Sequence, residues 1–309
     1  MNKIYDLVIV GGGPAGVTAG IYAARQKLNT LLITKNFGGQ VVGKTIAIEN
    51  YPGFKKISGQ KLIQKFERHL KKQEIDIKND SVAKIKKNNE IFFISTKNKN
   101  KFQAKAVILA SGADPRPLEI PGEKKFIGRG VSYCAICDGP LFLNKIVAVV
   151  GGGNTGFEAA IFLSKFAKKI YILEYGQKIA ADETNQEKVK RIEKIEVITS
   201  AILKKIKGNQ FVNSIICQNQ KIKKNINLSV DGIFVEIGFQ PATSFVKDFV
   251  DFNQKDEIKI NPWTCQTKTT GLFAAGDVSE VRNKQIVIAA GEGAKAAISV
   301  FNYLQKNNL

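Results

Sequence analysis

Two stretches of the chain share one pattern. Residues 5–10 read Tyr-Asp-Leu-Val-Ile-Val, an apolar run of strand length, and are followed by Gly-Gly-Gly-Pro-Ala-Gly at 11–16. The small and apolar residues of 17–26 then fall at helical spacing. Residues 145–150 read Lys-Ile-Val-Ala-Val-Val, with Gly-Gly-Gly-Asn-Thr-Gly at 151–156 and a helix-like stretch over 157–166. Each predicts a strand, a tight glycine turn and a helix, the context in which spaced glycines let a dinucleotide pyrophosphate approach the first turn of a helix. Gly11, Gly13 and Gly16 form one set, and Gly151, Gly153 and Gly156 the other. One such match is weak; two in the right context imply two dinucleotides. Further strands are predicted at 82–96, broken by a turn, and at 101–109, 170–173, 197–199, 211–216 and 230–237. Helices are predicted at 59–72 and 286–304.

The Pro-bearing, non-periodic segments 113–117 and 238–242 read as crossings between domains. The expected fold class is α/β, with two Rossmann-like dinucleotide-binding domains, the second inserted into the first. Residues 1–116 and 244–309 would form one domain and 117–243 the other.

Composition narrows the function classes. The chain has 309 residues, 44% apolar and 24% charged, which is ordinary for a globular protein of about two domains. No apolar run is long enough for a membrane span. The chain runs from Met1 almost directly into its first strand, so no signal peptide is expected. With four cysteines, this points to a reducing, cytoplasmic setting. The net charge of +20 invites a nucleic-acid reading, but only six of 47 basic residues are arginine, and the lysines are scattered. Phosphate and base readers lean on the forked guanidinium, so no nucleic-acid partner is expected. A nucleic-acid-binding redox sensor is kept only as a remote alternative.

Cys134-Ala-Ile-Cys137 carries the candidate chemistry. Two thiols in C-x-x-C spacing beside a helix start can close an exchangeable disulfide. The alternative is half of a zinc site, but the other candidate ligands, Cys217, Cys265 and His69, are isolated from one another in sequence. Asp138 follows the second cysteine and is either a helix cap or the proton donor and acceptor for a departing thiolate. His69 lies on a solvated helical pattern and reads as structural. Cys217 reads as core, Cys265 as buried or incidental, and Trp263 as packed near a surface turn.

The chain resembles the low-molecular-weight, bacterial-type thioredoxin reductases. Gly11-Gly-Gly-Pro-Ala-Gly16, Gly38-Gly-Gln40, Glu49-Asn-Tyr-Pro-Gly53, Gly128-Arg-Gly-Val-Ser132, Cys134-Ala-Ile-Cys-Asp-Gly139, Gly151-Gly-Gly-Asn-Thr155 and Gly271-Leu-Phe-Ala-Ala-Gly-Asp277 follow that family's motifs in order. The resemblance implies FAD in the discontinuous domain, and the pyridine nucleotide and dithiol in the inserted one. It also implies a homodimer and a thioredoxin or thioredoxin-like partner. Gly11, Gly13, Pro14, Ala15 and Gly16 would seat the FAD pyrophosphate. Gly39, Gln40, Asn50 and Gly112 would approach the flavin, and Asp277 would hold a ribityl hydroxyl. Lys284, Gln285 and Ile286 would lie near the pyrimidine end of the ring. Gly151, Gly153, Asn154, Thr155 and Gly156 would seat the second nucleotide. Cys137 would face the flavin, and Cys134 would attack the partner disulfide.

One motif departs from the family. Its NADPH users carry a His-Arg-Arg run and a further arginine after the second glycine turn, whereas this chain reads Glu174-Tyr-Gly-Gln-Lys-Ile-Ala-Ala181. Glu174 lies 18 residues past Gly156, close to where an acid accepts the ribose hydroxyls of NAD. A carboxylate there repels a 2′-phosphate, so NADH is expected as donor and NADPH is not. Two alternatives stay open. The site is vestigial, with Tyr175 filling part of the cleft and ferredoxin or another non-pyridine carrier as donor, or lysines such as Lys178 serve NADPH weakly. Among acceptors, a peroxiredoxin partner is the rival. The usual form of that reductase carries an extra N-terminal thioredoxin-like region, and the chain's start at its first FAD strand is an expectation against it.

Overall fold

The computed structural model describes residues 3–44, 48–220 and 222–309. Strand β1 (Ile4–Gly12) is followed by helix α1 (Pro14–Arg25), β2 (Thr30–Phe37), α2 (Gln40–Lys44), α3 (Gly59–Leu70) and β3 (Asp76–Asn79). Next come β4 (Val82–Asn88), β5 (Ile91–Thr96), β6 (Lys101–Leu109), β7 (Ala113–Pro115), α4 (Glu123–Phe126), β8 (Val131–Ser132) and α5 (Ala135–Asp138). After a 3₁₀ turn the chain forms β9 (Ile146–Val150), α6 (Asn154–Leu163), β10 (Lys169–Leu173), α7 (Glu183–Lys190) and β11 (Ile195–Ile198). It continues through β12 (Ala201–Gly208), β13 (Val212–Asn219), β14 (Asn225–Ser229), β15 (Gly232–Val235) and β16 (Phe239–Pro241). It ends with β17 (Leu272–Ala274) and α8 (Ile286–Lys306).

The chain divides into two compact units. Unit 1 comprises Met1–Thr45, Tyr51–Asp114 and Gln240–Leu309; unit 2 comprises Ile46–Asn50 and Pro115–Phe239. The chain crosses between them within β7 and β16, which pair as a two-stranded sheet.

Unit 1 is built on a sheet of order β3-β2-β1-β6-β5-β4, with β17 also paired to β6. β1, β2, β3, β6 and β17 are parallel; the β4-β5-β6 meander is antiparallel. The central strands read as continuous apolar runs because both faces are covered: Leu7, Val8, Ile9, Val107, Ile108 and Leu109 are all buried. Pro14 opens α1, where its missing N–H costs nothing. Ser58 caps α3 by accepting the Lys61 N–H at 3.3 Å. A side chain added at Gly293 of α8 would begin 2.0 Å from the Ala15 carbonyl oxygen, so α8 lies close on α1.

Unit 2 holds a five-stranded sheet, β11-β10-β9-β15-β8, with every pairing parallel, and a separate antiparallel sheet β12-β13-β14. The fold is thus α/β with two strand–turn–helix nucleotide-type units. The hydrophobic pattern does not mark β2, whose apolar run breaks into Lys35-Asn36, nor α7. The latter has no apolar stripe and is held by its cap, Asp182 accepting the Asn185 N–H at 2.8 Å. Among the described residues no helix is long and apolar enough to cross a membrane.

Candidate functional site

The two glycine turns are built alike, and their glycines divide into two kinds. Gly11 and Gly151 have φ of +117° and +128°, where a side chain would be strained and would begin 2.2 Å from Ala110 O and 2.4 Å from Glu236 O. Gly16 and Gly156 would each clash with the carbonyl of the first glycine in their own turn. These four are glycine because the chain packs against itself. Gly13 and Gly153 differ. Their φ values, −77° and −87°, suit any residue, and no atom lies within 4 Å of where a side chain would begin. Each begins its helix as N-cap with no side chain capping it, so no capping side chain takes up the first helical N–H groups. A pyrophosphate fits that cradle in both units, and a side chain would fill it.

In unit 1 the flavin-site candidates converge. Gln40 donates to the carbonyl of Ala113 and is hydrogen-bonded to Asp277. Burial raises the Asp277 carboxyl above its ordinary range, and nearby Lys284 and the Gln40 bond oppose the rise. Lys284 itself is committed, to Glu257 at 3.0 Å and to the Ser279 carbonyl at 2.6 Å. Gln285 is the N-cap of α8, and Ile286 its first residue. Gly39 and Gly112 have positive φ, +50° and +71°, with open space where a side chain would begin. Asn50 is exposed and groups with unit 2.

Sequence reading missed Glu292. This buried carboxylate of α8 accepts the Gly276 N–H at 3.0 Å and the Ser279 hydroxyl at 3.3 Å, and so fixes the turn that carries Asp277. Its signal was an acid amid the small and apolar residues of a helix. Glu292→Ala is expected to destabilise unit 1 by roughly 1–3 kcal/mol, because the buried Gly276 N–H loses its acceptor, whereas the Ser279 hydroxyl keeps the Gly276 carbonyl at 2.8 Å. A lowered thermal midpoint with the secondary structure otherwise unchanged would show it.

In unit 2, Cys134 and Cys137 form a disulfide, with Cα atoms 5.3 Å apart. Both residues are half-buried, and Ile136 between them is 56% exposed. Leu141 and Leu143 add exposed apolar surface close by in the chain. Cys134 caps α5: its sulfur accepts the Cys137 N–H at 3.2 Å. Ser132 accepts the Cys134 N–H at 3.1 Å and donates its hydroxyl to Asp138 at 2.6 Å. Burial raises the Asp138 carboxyl, the Ser132 bond opposing it. The raised carboxyl therefore holds a proton to a higher pH than an exposed aspartate, which suits exchange of protons with a thiol. Glu123, also unmarked by sequence reading, anchors the segment before the dithiol. It accepts from the N–H groups of Leu118 and Glu119 and from the Tyr133 hydroxyl, all within 2.8 Å.

Glu174 ends β10 with its carboxylate folded onto the second glycine turn. One oxygen accepts the Gly152 N–H at 2.7 Å and the other the Gly176 N–H. Each carboxylate oxygen keeps a further lone pair for a donor. Asn154 accepts the Asp182 N–H at 2.8 Å and so ties the start of α6 to the cap of α7; Thr155 is exposed beside it. Tyr175 is 67% exposed. Thr34 in unit 1 holds the position that Glu174 holds in unit 2: side chains added at Gly12 and Gly152 would meet Thr34 Oγ1 and Glu174 Oε2. The two halves therefore differ at the side chain that stands against the second glycine of the turn.

The other two thiols stand apart. Cys217 and Cys265 are fully buried, and burial pushes them up to about 11 and about 12. His69 is exposed on α3. Trp263, expected to pack at a turn, is instead 84% exposed, because its turn is held by Asn261, whose side chain accepts the Trp263 N–H at 2.9 Å and whose carbonyl accepts the Cys265 N–H at 2.8 Å, leaving the indole outside.

A family model described as pyridine nucleotide-disulphide oxidoreductase matches residues 5–293. The chain belongs to that family. This pyridine nucleotide-disulphide oxidoreductase is similar in structure to the thioredoxin reductase of Streptococcus pyogenes, with a TM-score of 0.93 and 36% identity over 99% of this chain and 100% of that one. The thioredoxin reductase of Giardia duodenalis also gives 0.93, with 32% identity over 98% of this chain and 100% of that one. In sequence the oxidoreductase is 40% identical, over 97% of its length, to the Pseudomonas aeruginosa alkyl hydroperoxide reductase F subunit. It is 39% identical, over 98%, to a Bacillus subtilis protein named NADH dehydrogenase. It spans 58% and 59% of those two relatives, about three fifths of the curated relatives it matches.

Proposed function

We propose that the chain is an FAD-dependent disulfide reductase that takes electrons from NADH and passes them through Cys134–Cys137 to the disulfide of a thioredoxin-like protein. The observation that carries this reading is the disulfide itself, half-buried, flanked by exposed apolar side chains and backed by a carboxyl with a raised pKa. FAD supplies a two-electron carrier that accepts a hydride and returns an electron pair to a disulfide. Unit 1 would hold it through the Gly11–Gly16 turn, Gln40 and Asp277. Unit 2 would hold NADH through the Gly151–Gly156 turn and Glu174. The opened dithiol then exchanges with the partner. Cys134 as thiolate attacks the partner disulfide, and the partner's first thiolate leaves and takes a proton. Cys137 next attacks Cys134, restores the disulfide and releases the second thiolate, which also takes a proton. Asp138, hydrogen-bonded to Ser132, is placed to carry a proton in this exchange. Ile136, Leu141 and Leu143 offer the partner an apolar surface.

Two observations favour NADH. Glu174 is braced by two backbone donors, and no arginine stands in 174–182. The name of the Bacillus subtilis relative accords with it. A second reading of the acceptor, a protein of an alkyl hydroperoxide-reducing system, is favoured by the Pseudomonas aeruginosa relative. The nucleotide reading is tested by anaerobic mixing of the yellow holoprotein with NADH and, separately, NADPH. NADH is expected to bleach the flavin rapidly and NADPH at least about tenfold more slowly. Bleaching by dithionite but by neither nucleotide would move the donor to ferredoxin or another carrier. Glu174→Ala is expected to lower kcat/KM for NADH by roughly 10- to 100-fold, the equivalent of losing one charge-assisted bond. It should also narrow the preference over NADPH, because the repulsion of the 2′-phosphate goes with it. Steady-state rates with both nucleotides read both effects.

A further inference from the structure

One hydroxyl ties the acid of the dithiol segment to the backbone of its first cysteine. Ser132 ends β8, is buried, and stands two residues before Cys134. Its oxygen lies 3.1 Å from the Cys134 nitrogen, 3.3 Å from the Cys134 carbonyl oxygen and 2.6 Å from Asp138 Oδ2. A hydroxyl has one proton and two lone pairs. The Cys134 N–H takes one lone pair, which leaves two acceptors, the carbonyl and the carboxyl, for the single proton. With Asp138 ionised the proton goes to Oδ2, the shorter contact and the charge-assisted one. With Asp138 protonated, the carboxyl donates to the second lone pair and the serine proton turns to the Cys134 carbonyl. That carbonyl accepts the Asp138 N–H at 3.1 Å in either case, so the turn of the hydroxyl leaves it paired.

Among the described residues, Ser132 is the one side chain hydrogen-bonded to the Asp138 carboxyl. The titratable groups on the elements around that carboxyl are few. Cys134 and Cys137 lie on its own segment, and Tyr133 is turned to Glu123 at 2.7 Å. Glu158 is exposed on α6, and Glu236 follows directly on β15. The 3₁₀ turn after α5, Gly139–Phe142, carries no titratable side chain.

Building on the disulfide-reductase reading, we propose that Ser132 is a positioning residue whose hydroxyl turns between Asp138 and the Cys134 carbonyl as Asp138 gives and takes a proton of the dithiol. Two electrons from a reductant, the reduced flavin of that reading or an added dithiol, break the Cys134–Cys137 bond. The sulfur that leaves as thiolate takes the Asp138 proton. The partly buried carboxylate that remains accepts the serine proton as a hydrogen bond, which offsets its loss of solvent. When the disulfide closes again, the carboxylate takes a proton back and the hydroxyl returns to the carbonyl.

The test is the opening of the disulfide by dithiothreitol in the full-length holoprotein, stopped by rapid alkylation and read by mass spectrometry from about pH 5 to about pH 9. Each rate is divided by the thiolate fraction of dithiothreitol at that pH. Dithiothreitol bonds to one sulfur and the other leaves with the Asp138 proton, so the corrected rate of the unaltered protein should fall as rising pH ionises Asp138. Asp138→Asn should be slow and show no such fall. Ser132→Ala takes the donor from the carboxylate, so the carboxyl keeps its proton to higher pH. Its fall should move up by about one pH unit, and its low-pH rate should drop about threefold. A loss of packing alone lowers the rate without moving the fall. Ser132→Thr keeps the hydroxyl and should follow the unaltered profile. Ser132→Val, of the same shape without the hydroxyl, repeats the test should the alanine chain not fold. Falls at the same pH with and without the hydroxyl would overturn the proposal, as would a threonine profile that follows the alanine one. So would an unaltered profile with no fall, or an Asp138→Asn profile that keeps it. The readout needs neither NADH nor partner. Failure of the reductase reading would appear separately, as a protein that NADH does not reduce.

Discussion

Replacing Cys134 with serine is expected to cut NADH-driven reduction of a thioredoxin-like disulfide by at least about a thousandfold, while flavin reduction by NADH stays within about twofold. The split follows from the division of labour in unit 2. The proposed nucleotide cradle, Gly151–Gly156 with Glu174, makes no bond to the Cys134 side chain. The hydroxyl of serine is a far weaker nucleophile than a thiolate at neutral pH and forms no exchangeable bond with Cys137. Stopped-flow flavin bleaching and a coupled disulfide assay on the same preparation separate the two steps. Normal turnover by Cys134→Ser would refute the dithiol route.

Gly13→Val should give a folded protein without flavin. A side chain at Gly13 meets no atom of the chain within 4 Å, and its backbone is ordinary, so folding has no reason to fail. The valine fills the space assigned to the pyrophosphate. Losing two charge-assisted bonds there costs roughly 3–6 kcal/mol, or about 10²- to 10⁴-fold in flavin affinity. Gly16→Val is the informative contrast. Its side chain would begin 1.9 Å from Gly11 O, so that variant is expected to lose the fold of the turn as well. Flavin content per chain, read from the visible spectrum, and circular dichroism distinguish the two. A yellow Gly13→Val protein with unaltered flavin affinity would place the cofactor elsewhere.

What was legible in the sequence is what depends on local pattern. The glycine turns, the apolar central strands, α3 and α8 all follow from spacing and periodicity, and the C-x-x-C disulfide from two neighbouring thiols. Pattern could not separate Gly13 and Gly153 from the other glycines of their turns. That distinction needs the positions of Ala110, Glu236 and the turn carbonyls. Nor could it show that the acid at the end of β10 folds back onto Gly152, or that Thr34 occupies the matching place in unit 1. Glu123 and Glu292 were missed for one reason. Each is an acid whose partners are backbone amides or hydroxyls set by tertiary packing, and an isolated glutamate in sequence looks like any solvated one. Lys284 shows the converse. The resemblance implies a place for it near the flavin, and the structure adds a pairing of its ammonium with Glu257 that the motif does not show.

In the proposed function the flavin and the Cys134–Cys137 pair are two electron-pair carriers in series. An anaerobic titration of the holoprotein with NADH, counting reducing equivalents and alkylatable thiols together, tests it most directly. Uptake of two NADH per chain is expected, four electrons in all, one NADH opening the disulfide and one bleaching the flavin. Two thiols, those of Cys134 and Cys137, should become alkylatable, while buried Cys217 and Cys265 stay unmodified. A flavin fully bleached by a single NADH, with the disulfide still closed, would contradict it.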